Sequence, residues 1–218
     1  MTLDLPAVTA ALTTVTPLPD GDLAALAAAV RAQADRQAIA DLGVLYARAV
    51  DDHDVDSVVA MYTADGVFER RGVAAAGPAE IRAAYVASFD TYRTMLHTPH
   101  PGVVRLHGDG TASGWSHGHA ELATRSTLVL ASFRYEDDYR CEGGRWLFAR
   151  RSITFMYAVP ADEMATSFGS VERMRWPRTA PQAADYPESS PTWDSYRDRD
   201  AGAPRPRGET EDPCTASS

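Results

Sequence analysis

Lysine and asparagine are both missing from this chain of 218 residues, and all 21 of its basic side chains are arginine. Without lysine there is no Schiff-base chemistry and no Walker-type phosphate loop, since both need a primary ammonium at a fixed place. Without asparagine, no side-chain amide of that kind can serve as an oxyanion donor or a glycosylation acceptor. Cysteine is scarce: Cys141 and Cys214, the second in a polar C-terminal stretch, make no disulfide framework. No window approaches ~18 consecutive apolar residues, the length a helix needs to span a bilayer. The first residues carry an acid where a secretory leader would carry bases, so a cytoplasmic location is expected. A formal net charge of −9 argues against a nucleic-acid partner, whose phosphates ask for a basic face.

What is present reads as an α+β plan. Residues 1–21, with three prolines, form an irregular arm. Over residues 22–52, Ile39, Leu42, Leu45, Tyr46 and Ala49 recur at helical spacing. Asp35 could cap a second helix, so one long helix and two shorter ones are both allowed. A short helix is predicted over 55–62 with Asp54 as its N-cap, then a strand over 66–70. Gly77-Pro78 opens a helix to about Phe89, proline being favoured at the first helical position. Strands are predicted over 103–106, 111–122, 127–139 and 145–157, separated by Gly108-Asp109-Gly110 and Glu142-Gly143-Gly144.

Helices followed by long, strongly twisted, mostly antiparallel strands make a cone-shaped sheet with helices on its concave side and a ligand pocket in its mouth. The domain is then 22–157, followed by a short helical segment at 158–176. The Pro-, Ser- and Asp-rich tail at 177–218 is expected to be disordered or docked on the domain. Phe133, Tyr135, Phe148 and Phe155 are expected on both faces of the strands. A second apolar face would need another subunit, so a homo-oligomer, dimer or trimer, is expected.

Gly114-Trp115-Ser116-His117-Gly118 fits the pattern of a serine nucleophile elbow. That motif needs a strand-turn-helix setting with an acid and a histidine downstream, and here the setting is a strand with no histidine after His119. Five of the six histidines lie between His97 and His119. His117 and His119 share one face of a strand and could together bind a metal, but a bare pair is weak support, and no metal is assigned. Asp51-Asp52-His53-Asp54 closes the long helical stretch. Counting from Leu45 keeps Asp52 nearer the apolar face, whereas a turn after Val50 favours Asp51, and periodicity does not choose.

Residues 36–69, RQAIADLGVLYARAVDDHDVDSVVAMYTADGVFE, resemble the opening of the SnoaL-like group in the ketosteroid-isomerase and scytalone-dehydratase superfamily. The carriers are an R-x-x-I-x-x-L helix, a tyrosine five residues before an aspartate, a short apolar helix and the D-G-V-F run. His97 stands 46 residues after Asp51, and Gly143-Gly144-Arg145-Trp146-Leu147-Phe148 leads into the last strand. The resemblance implies a cone fold over residues 22–157 and places Asp51, rather than Asp52, and His97 on the family's catalytic positions. It places Tyr46 on a catalytic tyrosine and Phe68 on the pocket wall. A second histidine of the family falls near His117 and His119, with the register open by one residue: one register lines the lumen with those two, the other with Ser116, Gly118 and Ala120. The first is preferred slightly, giving His119 a substrate-binding role.

The activity so implied is a dehydratase needing no cofactor, acting on a hydrophobic, cyclic hydroxy-carbonyl compound of the polyketide or secondary-metabolism kind. An isomerase or cyclase sharing the enolate chemistry is an alternative, and so is a binding module without catalysis.

Overall fold

The computed structural model describes residues 21–195, together with Thr9, Leu12 and Thr13 of the N-terminal arm. The first long element is one helix, α1 (Leu23–Asp51). Its N-cap is Asp22, whose carboxylate accepts from the Ala25 N–H at 2.9 Å. Asp35 does not interrupt it; its Oδ1 accepts from the Trp146 indole N–H at 2.8 Å instead. The buried stripe is Ile39, Leu42, Tyr46, Ala47, Ala49 and Val50. Leu45 is 57% exposed, so the count that started from it followed the wrong face.

The chain turns through His53, at φ 58, into α2 (Val55–Ala60), capped by Asp54. The first strand starts earlier than predicted, β1 (Tyr62–Arg70), and pairs with β2 (Val73–Ala76) across Arg71-Gly72. Both turn residues have positive φ, the geometry that matches strand twist in a two-residue hairpin. Next come α3 (Gly77–Thr91), β3 (Thr94–Pro99), β4 (Val103–Leu106), β5 (Thr111–Ala123), β6 (Leu128–Glu142) and β7 (Arg145–Pro160). The seven-stranded sheet runs β2-β1-β7-β6-β5-β3, with β4 also on β5. All pairings are antiparallel except β1 with β7. This is the expected α+β cone, its helices on the concave side.

β3 is absent from the sequence expectation. It is a six-residue edge strand ending in Pro99, a residue tolerated where a main-chain N–H has no ladder partner. Its free edge faces α1, which proves decisive for the site. After β7 come a 3₁₀ turn (Ala161–Glu163) and α4 (Met164–Ser167). The chain then lies back on the sheet: Met174 bridges Ala158 and Gln182, and the Asp185 carboxylate accepts from Phe155 N at 2.8 Å. Residues 196–218, most of the expected tail, lie outside the described residues.

One expectation about the sheet needs correction. Phe133, Tyr135, Phe148 and Phe155 do not divide between two faces; all four are buried in the one hydrophobic core. Irregularities in the β6–β7 pairing, at Ser132/Phe133 and Asp138/Tyr139, shift the alternation and keep them inside. Between them β6 turns outward Arg134, Glu136 and Asp138, all exposed. These four rings therefore supply no apolar outer face for a second subunit to cover.

Candidate active site

Asp51 closes the C-terminal turn of α1, four residues after buried Ala47. Its carboxylate meets the free edge of β3. Both oxygens accept from the His97 main-chain N–H, at 3.0 and 2.9 Å, and Oδ1 also lies 2.6 Å from His97 Nδ1. The side chains are 16% and 12% exposed, so the pair is nearly dry. With Nδ1 committed to the carboxylate, Nε2 is the nitrogen free to take a proton. Asp52 points elsewhere: 52% exposed, it pairs with Arg48 one turn back. His53 braces the helix end, its ring nitrogens 3.1 Å from the Asp51 carbonyl and 3.0 Å from the Tyr92 carbonyl.

Two chambers meet at His97. A smaller one of about 260 Å³ lies between α1, the β3–β4 segment and β5, and a larger one of about 590 Å³ lies under α3. Tyr46, His97, Phe133 and Tyr135 line both. The Tyr46 hydroxyl is 2.5 Å from that of Tyr85, which is 3.3 Å from that of Tyr62. Tyr46 makes no hydrogen bond to Asp51 or His97 among the described residues; what it shares with His97 is the cavity wall. Burial pushes the Tyr62, Tyr85 and Tyr135 hydroxyls well above their usual pKa, so these three stay neutral. Phe68 packs against Tyr85, ring centres 5.0 Å apart, in the wall of the larger chamber.

Sequence reasoning missed Arg151. It lies on β7, 2% exposed, its guanidinium 4.2 Å from the Tyr46 ring centre, 3.9 Å from that of Tyr135 and 4.0 Å from that of Phe148. Nε and one terminal nitrogen donate to the two Asp137 oxygens at 2.9 and 2.8 Å, and the Tyr139 hydroxyl donates to the same carboxylate. Burial works against the charge, but Asp137 outweighs it and the arginine pKa is raised. The other terminal nitrogen, Nη1, is buried without a partner among the described residues, and Arg151 lines the smaller chamber. An unmatched charged donor beside a cavity is poised for a ligand oxygen. The signal was faint in the sequence: Arg150-Arg151 reads as two charges in a strand, and only the fold says which is inside.

The register of β5 is settled against His119. Ala120 is buried and lines the larger chamber, and Gly118 is buried against Phe133, whereas His119 is exposed on the opposite side. There its Nδ1 lies 3.0 Å from His100 Nε2, so the substrate-binding role assigned to it is withdrawn. A one-residue slip reverses every side chain of a strand, and the other register is the one adopted. His117 borders the smaller chamber at its edge. Ser116 sits in the extended run of β5 opposite Tyr135, not on an elbow. Among the described residues no group of three or more His, Cys, Asp or Glu is arranged to hold a metal ion.

Comparison with known sequences decides the family, because residues 31–152, more than half the chain, match the SnoaL-like domain. The chain belongs to the SnoaL-like domain family. None of the curated proteins matches it. Several solved structures do. A protein from Novosphingobium aromaticivorans, provisionally named an aromatic ring hydroxylase, is 28% identical, with 61% of this chain and 96% of that one covered and a TM-score of 0.55. One provisionally named scytalone dehydratase, from the same organism, is 15% identical over 58% and 87% of the chains, also at 0.55. Hexachlorocyclohexane dehydrochlorinase LinA-type3 from Novosphingobium barchaimii LL02 is 17% identical over 60% and 92%, at 0.56. The last two establish likeness of fold alone. The SnoaL-like match ends at Ser152, well before Met174 and the segment folded back on the sheet.

Proposed function

We propose that this SnoaL-like protein is a dehydratase that removes water from a hydrophobic, cyclic hydroxy-carbonyl compound using side chains alone. The observation that carries the reading is the 2.6 Å contact of His97 Nδ1 with Asp51, at the junction of two largely apolar chambers. An imidazole is the side chain best suited to take a proton α to a carbonyl near neutral pH. Asp51 holds its tautomer and stabilises the imidazolium that forms.

The step balances within the site. His97 Nε2 takes the α-proton, the C–H electrons pass into an enolate, and the oxygen charge is met by Arg151 Nη1 or the Tyr46 hydroxyl. Collapse of the enolate forms the C=C bond and expels the β-hydroxyl, which leaves as water with the proton carried by His97. Tyr85 and Tyr62 can each donate to the next hydroxyl, leaving the Tyr46 O–H free to point at the substrate and strengthening it as a donor.

That same hydroxyl series favours a second reading, isomerisation, for a substrate that lacks a leaving group, with His97 returning the proton to the γ-carbon. The test is incubation of the purified protein with a panel of cyclic β-hydroxy ketones, followed by mass spectrometry. Loss of one water from some members supports the dehydratase, and a product of unchanged mass with a moved double bond supports the isomerase. Binding with no turnover across the panel would leave a ligand-binding module.

A further inference from the structure

The larger chamber is built in part by residues that the SnoaL-like match does not include. Trp176, Pro177, Thr179 and Gln182 line it, 24 or more residues beyond the end of that match at 152. Trp176 sets its ring edge-on to Phe155, centres 5.1 Å apart, and 6.5 Å from Tyr92. The roof is fastened at both ends. Fully buried Met174 exchanges main-chain hydrogen bonds with Gln182 at 3.0 and 2.9 Å. Arg71, from the β1–β2 turn, donates to the Gln182 side chain at 2.9 Å and pairs with Asp185 at 3.1 Å.

The charge lining the chambers is the reverse of the chain's net charge. The protein carries 30 acidic against 21 basic residues, yet no Asp or Glu is among the described residues lining either chamber. The larger one has Arg70 and Arg71 instead. Arg71 is occupied by the roof. Arg70, an exposed residue, lines the cavity from its solvent side, with its guanidinium in no hydrogen bond or ion pair among the described residues. Its charge reaches the Tyr92 hydroxyl, where it works against the rise that burial causes.

We infer that the roofed chamber takes the apolar body of an acidic substrate, with Arg70 pairing with an anionic group, a carboxylate, at the end remote from the reacting carbonyl. This rests on the reading that His97 works on a small molecule at the chamber junction, and it adds the class of that molecule: a bulky apolar acid. A guanidinium at an apolar wall favours such a group because it offers paired donors and is weakly hydrated.

Two fluorescent probes of similar frame separate charge from shape: 1-anilinonaphthalene-8-sulfonate, an anion, and N-phenyl-1-naphthylamine, which is neutral. Arg70→Gln should weaken the anion about tenfold, the scale of one lost charged hydrogen bond, and leave the neutral probe within about twofold. Trp176→Ala should weaken both. Ala120→Phe, which fills the chamber, should abolish both, and Thr179→Trp, on the exposed roof, serves if that variant does not fold. Equal loss of both probes in Arg70→Gln, no loss of either, or persistence of both in the filled chamber would overturn the inference. Asp51→Asn leaves the chamber wall intact and should bind both probes as before, so a failed dehydratase assay and a failed binding test remain separate results.

Discussion

Asp51 accepts from two donors on one residue, the imidazole and the main-chain N–H of His97. The second contact ties the carboxylate to the strand itself, so the dyad does not depend on one flexible side chain. An amide in its place keeps an oxygen for the main-chain N–H but no longer stabilises the imidazolium. Asp51→Asn and His97→Gln should therefore each lower turnover by about two to four orders of magnitude with folding intact by circular dichroism. The double variant should lose little more than the worse single one, because the two act as a unit. A product of the separate losses would mean that they act independently. His117 offers a pH test. Burial, then Arg134 and the neighbouring histidines, push its imidazole below the usual 6.5. The folded protein thus resists a proton that the unfolded chain accepts, and stability tied to neutral His117 is present above about pH 6.5 and lost as pH falls below it. Urea unfolding between pH 7 and 5 should show a shallower decline in His117→Gln than in the parent; an identical slope would remove His117 from the account.

At the scale of elements, β5 and β3 set the position of the site. Gly118 lies under Phe133 so closely that an added Cβ would come 2.6 and 2.7 Å from ring atoms. That ring stands 6.0 Å from His97, centre to centre, in the wall of both chambers. Gly118→Ala should displace it, costing about 1–3 kcal/mol by overpacking and changing substrate affinity as well. Thermal melts and a binding titration on the same variant check both halves; unchanged binding would show that the ring is not a chamber wall that matters. Element placement was legible where the pattern was strong, as with the helical character of residues 22–52, Asp54 at the N-cap of α2 and the Gly143-Gly144 turn, both glycines at positive φ. It failed at β3, where Met95 and His97 face inward but Leu96 between them is exposed, so the Thr-Met-Leu-His-Thr-Pro run does not alternate apolar with polar.

Across the described residues, the buried charges are matched, Arg151 with Asp137 and Arg173 with Glu188, and the aromatic core carries its other polar groups as tyrosine hydroxyls. Burial raises the pKa of Tyr62, Tyr85, Tyr135 and Tyr139 well above the ordinary 10. A raised value means that the folded protein keeps protons the unfolded chain gives up. The stability this brings is complete below about pH 10 and lost as pH rises beyond it. In an alkaline titration followed by tyrosinate absorbance, these four of the nine tyrosines should ionise only in a cooperative step that coincides with unfolding by circular dichroism. Smooth ionisation of all nine near pH 10 in a folded protein would contradict the buried network.

Periodicity and turn residues in the chain determined the helical stretches and most strands, because these depend on neighbours a few positions apart, while the family was legible only through its motifs. The motif around Asp51 and the spacing to His97 named both members of the dyad through the family's pattern. Three matters were left to the tertiary structure. Asp51 and Asp52 are adjacent on a helix end, and periodicity does not choose between them; the family's pattern names the first, and the arrival of β3 on one side is the physical reason. His119 and Ala120 are adjacent on β5, and only the pairing of β3 and β6 with that strand fixes which faces the lumen. Arg151 is a charge in an arginine pair until packing encloses it beside Asp137 and three aromatic rings. In each case the sequence holds two neighbouring positions, and the choice between them is a matter of direction, which residues far along the chain impose.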